Sequence, residues 1–322
     1  MQKIAIVGVG GMGTVHYNNY AQIEKAEVRA VVGPSEADRE KAAEWGVEIY
    51  PNIKELLAAE EIDLVDICTP TFLHVEHALQ ALNAGKNVII EKPIALHGED
   101  AERIFALASE NNALVFVGQV LHFTKEVEIL KEAVETEKYG KVLDAYFTRL
   151  TAAPNWVQGG WMFDKEKSGL LPFDLHIHDL DLIVSLFGRP ESYSYTAAGR
   201  DQSQFKEHYR FNYNYGELNV GAEAAWYNAS YPFTARWRVY FEEGLLVSEE
   251  GLTFYPASGE AVEFETEAEP KIETGINLPP TAMFYHELSH FIESAEKGIA
   301  SDRMTEKELI TTAEILEDIA GV

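Results

Sequence analysis

The first fifteen residues constrain this chain more than any other stretch. An apolar, β-branched run at residues 3–7 (KIAIV) passes directly into Gly8-Val9-Gly10-Gly11-Met12-Gly13, and helical spacing takes over from Met12 to residue 23. A strand that turns straight into a helix needs residues that accept a tight reversal and close backbone contact, which glycine does without a steric penalty. In the G-x-G-x-x-G pattern, the first glycine makes the turn and the second lets a pyrophosphate approach the backbone. The third lets the helix pack on the strand. The helix N-terminus then presents amides and the positive end of its dipole to phosphate. A plain strand–helix turn is the competing reading. The string alone is weak in a chain with 23 glycines, and its place between first strand and first helix is what favours a dinucleotide site.

The alternation continues downstream. Strand-like runs at residues 27–32, 63–68, 87–90 and 113–117 are separated by helical patterns at 36–45, 72–84 and 99–110. Strands alternating with helices of this length predict βαβ units and a mostly parallel sheet. The period changes near residue 140. Strands are expected at 141–150, 193–198, 205–214, 218–227, 234–241, 245–249 and 261–265, interrupted by helices at 172–187 and 281–297. A last helix at 305–319 starts with Thr305 and has Glu308 three residues on, the pattern of a capping box. Consecutive strands favour an antiparallel sheet. The fold class is therefore α/β, a doubly wound parallel sheet followed by an α+β domain on a mostly antiparallel sheet. The expected domains are 1–122 and 123–322, with the last helix a candidate to pack back on the first. A length of 322 residues suits two domains.

Charge narrows the partners. Against 26 Lys and Arg stand 53 Asp and Glu, a net −27, which disfavours nucleic acid and anionic membranes. One cysteine, Cys68, precludes an internal disulfide framework and points to a reducing compartment. With no membrane-length apolar run and no signal-peptide pattern, the expected location is the cytoplasm.

The residue ending the second strand distinguishes dinucleotides, because an acid there holds the ribose hydroxyls of NAD. That place is Gly33, followed by Pro34 and Ser35. Ser35 and Arg39 can hold a 2′-phosphate instead, so the cofactor reading is NADP or NAD with a lean to NADP. The alternative for Arg39 is a surface ion pair with a nearby glutamate.

Lys92 in Glu91-Lys92-Pro93 follows the strand at residues 87–90, at the edge where open parallel sheets bind ligands. A lysine there can hydrogen-bond a substrate oxygen, and partial burial brings it toward proton-transfer range. The bland alternative is a solvated lysine at a strand end. Taken with the glycine loop, with Cys68-Thr69-Pro70-Thr71-Phe72-Leu73-His74, with Gly85 to Pro93 and with Gly169 to Asp181, the chain resembles one family. It is similar, over nearly its whole length, to the glucose–fructose oxidoreductase, inositol dehydrogenase and rhizopine-catabolism (Gfo/Idh/MocA) oxidoreductases. That resemblance implies an N-terminal Rossmann domain and a C-terminal open-faced sheet that carries substrate and oligomer contacts. It also implies NAD(P)-dependent oxidation or reduction of a sugar, cyclitol or related polyol. Lys92 would be catalytic, with Thr69, Pro70, His74 and Glu91 lining the cofactor beside Gly8, Gly10, Gly11, Met12 and Gly13.

In the helix from residue 172, Asp174, His178 and Asp181 are spaced i, i+4 and i+7 and share a face. Oxidising an alcohol requires a group to take its proton; histidine suits this, oriented by a carboxylate. The resemblance places Asp174 and His178 at the substrate, with Asp181 supporting. His176 points elsewhere and reads as packing. A metal site from Asp174, His176 and His178 is the competing reading, weakened because residues two apart on a helix diverge.

The segment after the sixth strand departs from the family: His122 stands where many relatives have arginine, and Thr124 where proline is common. Gln119 and His122 are substrate candidates, as are Arg149, Trp156 and Trp161. Separately, His286-Glu287-Leu288-Ser289-His290 is a literal H-E-x-x-H, rarer by chance than the glycine string. Glu308 and Glu314 lie at workable distances for a third ligand, yet Met283, Phe284, Leu288 and Phe291 crowd the same helix with apolar groups. A structural or substrate-edge helix is the favoured reading, with no metal expected and a zinc hydrolase the remote alternative. A catalytically silent NAD(P)-binding sensor is the nearer rival. A homodimer or homotetramer is expected.

Overall fold

The computed structural model describes residues 1–155, 158–200, 205–276 and 278–322. Its first part alternates strand and helix: β1 (Gln2–Val7), α1 (Gly11–Tyr20), β2 (Ala26–Val32), α2 (Glu36–Trp45), β3 (Glu48–Tyr50), α3 (Ile53–Ala59), β4 (Leu64–Ile67), α4 (His74–Asn83), β5 (Asn87–Glu91), α5 (Gly98–Glu110) and β6 (Val115–Gly118). The remainder comprises α6 (Lys125–Glu135), β7 (Val142–Ala152), α7 (Lys165–Ser168), α8 (Ile177–Phe187), β8 (Ser192–Ala198), β9 (His208–Tyr215), β10 (Leu218–Tyr227), β11 (Thr234–Phe241), β12 (Gly244–Ser248), β13 (Leu252–Pro256), β14 (Val262–Phe264), α9 (Met283–Lys297) and α10 (Glu306–Ala320).

The chain forms two compact units. The first joins Met1–Phe123 to Ala268–Ala313, and the second joins Thr124–Glu267 to Glu314–Val322. This differs from a single cut at 122/123. The apolar stripe of α9 explains why: Leu288, Phe291, Ile292 and Ala295 enter the same core as Ile4, Val65, Ile89 and Phe116. The division then falls inside α10, between Ala313 and Glu314.

In the first unit six strands run in the order β3-β2-β1-β4-β5-β6, all parallel. The order reverses between β1 and β4, which opens a ligand crevice at the carboxyl ends of the strands. β4 is buried throughout and β1 and β5 are nearly so, as strands covered on both faces must be.

The second unit holds an eight-stranded sheet, β14-β13-β12-β11-β7-β10-β9-β8, antiparallel except where β10 runs parallel to β7. Phe147, Val239, Phe241 and Trp226 are buried, and α8 packs against β7 and α6. β3, α3, α6 and β13 are elements the sequence pattern did not separate from loop. β3 is only three residues long, and α6 lies just before residue 140, where the strand–helix alternation gives way.

Candidate functional site

The glycine loop has the sterics of a phosphate cradle. Gly8 adopts φ +100°, and a Cβ there would lie 2.8 Å from the Cys68 carbonyl oxygen. A Cβ on Gly13 would lie 2.0 Å from the Gly8 carbonyl oxygen, so neither position admits a side chain without moving backbone. Gly10 is the opposite case, with open space where its Cβ would project. The crowded glycines hold the turn and the open one faces the crevice, which fits a pyrophosphate. Gly11 and Met12 begin α1, and Gly10 is its N-cap.

Ser35 and Arg39, expected to hold a 2′-phosphate, are each engaged within α2. The Ser35 hydroxyl accepts the Asp38 N–H at 3.1 Å in a capping box, and the Arg39 guanidinium pairs with Glu36 at 2.9 Å.

Lys92 is half-buried immediately beyond β5. A buried clamp fixes the residue before it. His16 on α1 has Nδ1 2.7 Å from Asp66 Oδ2 and Nε2 3.0 Å from Glu91 Oε1. Two carboxylate acceptors require both ring nitrogens to donate. Burial pulls the His16 pKa down, but Asp66 outweighs it and holds the ring charged well above its ordinary range. Tyr20 also donates to Asp66 at 2.8 Å, and Glu91 Oε2 accepts the Lys92 N–H at 3.0 Å. A continuous chain of hydrogen bonds therefore links the helix opened by the glycine loop to the backbone of Lys92. Glu91, expected to line the cofactor, is buried and serves this clamp.

His74 is buried too. Its ring nitrogens lie 2.7 Å from the Pro93 carbonyl and 2.8 Å from that of Thr69. Burial lowers its pKa against the pull of those carbonyls. The ring braces the turn after Lys92 against the loop after β4, where Thr69 and Pro70 are half-exposed at the strand's carboxyl end.

In the second unit, a π-type turn over Pro172–His176 leads into α8. Gly169 must be glycine: its φ is +66°, and a Cβ would lie 2.1 Å from Phe173 Cδ2. Asp174 and His178 are half-exposed, while His176, Asp179 and Asp181 are buried. His176 stacks on Phe211 with ring centroids 3.7 Å apart, and its Nε2 lies 2.7 Å from the Tyr213 hydroxyl. Burial, helped by the Arg149 charge, brings its pKa down to about 3.

Of the other expected substrate residues, three are buried. Arg149 is buried and donates through Nε and Nη2 to Asp179 Oδ1, at 3.2 and 2.8 Å. It neutralises an internal carboxylate, a task that a charge in the middle of a sheet strand has to find. Gln119 and His122 are both buried in the first unit. Trp161 is half-exposed in a 3₁₀ turn over Gln158–Phe163, and Trp156 lies outside the described residues.

The H-E-x-x-H histidines do not converge on a ligand set among the described residues. His290 Nε2 lies 2.9 Å from the Ser301 hydroxyl, and Glu287 is fully buried. The group of potential metal ligands gathered within 4.8 Å is instead His16, Asp66 and Cys68. The direct His16–Asp66 contact occupies the space an ion needs, and burial pushes the Cys68 thiol up so that it keeps its proton. His16, Asp66 and Tyr20 were missed in the sequence. The available signal was Asp66 itself, an acid inside the apolar run LVDI, where a buried charge needs partners.

Comparison with known proteins matches two segments of the chain. Residues 2–119 match the model of an oxidoreductase family with an NAD-binding Rossmann fold, and residues 127–247 match the GFO/IDH/MocA C-terminal domain. The chain belongs to the Gfo/Idh/MocA oxidoreductase family. It is 32% identical over 193 residues to glucose-6-phosphate 3-dehydrogenase of Bacillus subtilis, covering 58% of this chain and 54% of that protein. It is 31% identical over 193 residues to 2,7-anhydro-N-acetylneuraminate hydratase of Mediterraneibacter gnavus, covering 60% and 51%. The chain spans about half the length of the curated relatives it matches. Levoglucosan dehydrogenase in complex with NADH and levoglucosan shares the fold, with a TM-score of 0.84 at 20% identity over 99% of this chain and 96% of that one. Among the described residues no helix is long and apolar enough to cross a membrane.

Proposed function

We propose that this chain is an NAD(P)-dependent oxidoreductase acting on a CH–OH group of a sugar, cyclitol or related polyol. The observation that carries the reading is the His16–Glu91 clamp, which ties α1 behind the glycine loop to the backbone of Lys92. A lysine held in register with a dinucleotide loop suits chemistry at the nicotinamide end. When bound, the dinucleotide supplies the hydride acceptor or donor. The glycine loop would hold its pyrophosphate, Lys92 would polarise the substrate oxygen, and His178 would exchange the hydroxyl proton under the orientation of Asp174. The relatives named for sugar or cyclitol oxidation, among them myo-inositol 2-dehydrogenase of Thermotoga maritima, support the substrate class.

Self-association through the outer face of the eight-stranded sheet fits the same reading. Tyr240 and Tyr255 are exposed there in one cross-strand row with Leu245.

The test is a dehydrogenase assay over a panel of sugars and cyclitols with Lys92→Met and His178→Asn, beside calorimetric NAD⁺ binding. Loss of turnover by at least a hundredfold with binding kept within threefold supports the assignment. Cofactor binding with no turnover across the panel would instead identify a sensor.

A further inference from the structure

We infer that Asp38 sets the cofactor preference and selects NAD over NADP, an inference that rests on the dinucleotide reading above. The usual selecting acid is the side chain at the end of the second strand, and here Gly33 has none. The space is filled from elsewhere. A Cβ built on Gly33 would lie 2.5 Å from Asp38 Cβ, 2.6 Å from its Cγ and 2.8 Å from its Oδ2. The carboxylate on the first turn of α2 thus stands where a residue-33 carboxylate would begin, and the missing side chain is what admits it.

Its place relative to the phosphate cradle is fixed by backbone. Val32, the last residue of β2, accepts the Gly8 N–H at 2.9 Å. Gly33 therefore follows the residue that meets the glycine loop, and the Asp38 carboxylate fills the space at Gly33, on the side where the adenosine ribose of a bound dinucleotide would follow its pyrophosphate. The Ser35 N–H donates to Asp38 Oδ2 at 2.9 Å and the Asp38 N–H donates back to Ser35 Oγ at 3.1 Å, so the carboxylate is held rather than swinging in solvent.

A carboxylate accepts hydrogen bonds from a ribose diol and repels a dianionic 2′-phosphate. The nearby cation does not offset this, because Arg39 is paired with Glu36. The same geometry that uses Ser35 as a cap removes it as a phosphate donor.

The experiment is calorimetric titration of the full chain with NAD⁺ and with NADP⁺ at fixed salt, repeated for Asp38→Asn and Arg39→Ala. The wild type is expected to bind NAD⁺ at least tenfold tighter. Asp38→Asn, which keeps an oxygen for the Ser35 N–H and loses the charge, is expected to narrow the ratio to threefold or less, chiefly by gaining NADP⁺ affinity. Arg39→Ala is expected to change NADP⁺ affinity less than twofold. A wild type that prefers NADP⁺ or binds both equally overturns the inference. So does an unchanged ratio in folded Asp38→Asn, or a tenfold loss of NADP⁺ in Arg39→Ala. If Asp38→Asn does not fold, the wild-type ratio and Arg39→Ala still decide. Binding of neither dinucleotide overturns the underlying dinucleotide reading, an outcome distinct from a wrong preference.

Discussion

His16 in the first unit and His176 in the second are both sealed from solvent, and each lies near residues proposed for the chemistry. His16 has a carboxylate at each ring nitrogen and is held charged. His176 has an aromatic face at 3.7 Å, a tyrosine hydroxyl and the Arg149 charge nearby, and is held neutral. Burial disfavours the charged ring in both, and the sign of the neighbouring charge decides whether that penalty is overcome. One histidine acts as a charged tie between strands and helix, while the other acts as a flat packing group with a polar edge. Substitutions that exploit this contrast should therefore have unequal consequences.

The largest effect is expected from His16→Leu. It fits the apolar surroundings but leaves Asp66 and Glu91 buried without their shared cation, a change that costs about 3–5 kcal/mol. The denaturant midpoint of the first unit should fall accordingly, and kcat should fall with it as Glu91 loses its hold on the Lys92 backbone. A loss below about 1 kcal/mol would mean that the ring is not the charged tie described here.

The pH dependence should separate the two histidines by sign. The raised His16 contributes stability that is complete below about pH 6.5 and is lost as pH rises through its higher folded value. His176 is depressed to about 3 in the fold. Between that value and 6.5 the unfolded chain binds a proton that the fold refuses, so its contribution is lost as pH falls through this window. His176→Phe keeps the stack on Phe211 and removes the proton. Calorimetric scans from pH 4 to 7 should show a flatter acid limb than wild type, despite a loss of about 1 kcal/mol at neutral pH for the Tyr213 hydrogen bond. An acid limb as steep as that of wild type would show that His176 is protonated in the fold.

Much of this was legible in the sequence where a residue's task is local. The glycine loop, the β/α alternation and the strand-end position of Lys92 follow from neighbours in the chain, and the structure has them where spacing placed them. The parts that were not legible depend on partners far along the chain. Glu91 meets His16 from 75 residues away, and Arg149 meets Asp179 across the fold. A substrate-facing charge and a charge that neutralises an internal acid look identical in one dimension. Short elements such as β3, with three residues, carry too little periodicity to register. The H-E-x-x-H string shows the converse. Its residues have correct spacing on a helix, yet α9 is held in the core by Leu288 and Phe291, which turns Glu287 inward.

That inward glutamate yields the smallest and most discriminating prediction. Neither Glu287 carboxyl oxygen has a hydrogen-bond partner among the described residues. Burial, with Glu91 and Asp66 adding to it, holds its pKa well above the ordinary carboxylate value. The fold therefore keeps a proton that the unfolded chain releases above about pH 4.5, and stability declines as pH climbs from there. Glu287→Gln has no proton to hold. It should raise the first unit's Tm by about 2–4 °C at pH 8, with the gain shrinking toward pH 5, where both states of the wild type approach the neutral form. The sign matters because the rival reading demands the reverse. If Glu287 were an ionised member of the charged network, paired with His16 as Asp66 is, the amide would cost stability at pH 8 and less at pH 5. The crossing direction of the two melting curves thus tells whether the clamp around Lys92 contains two carboxylates or three.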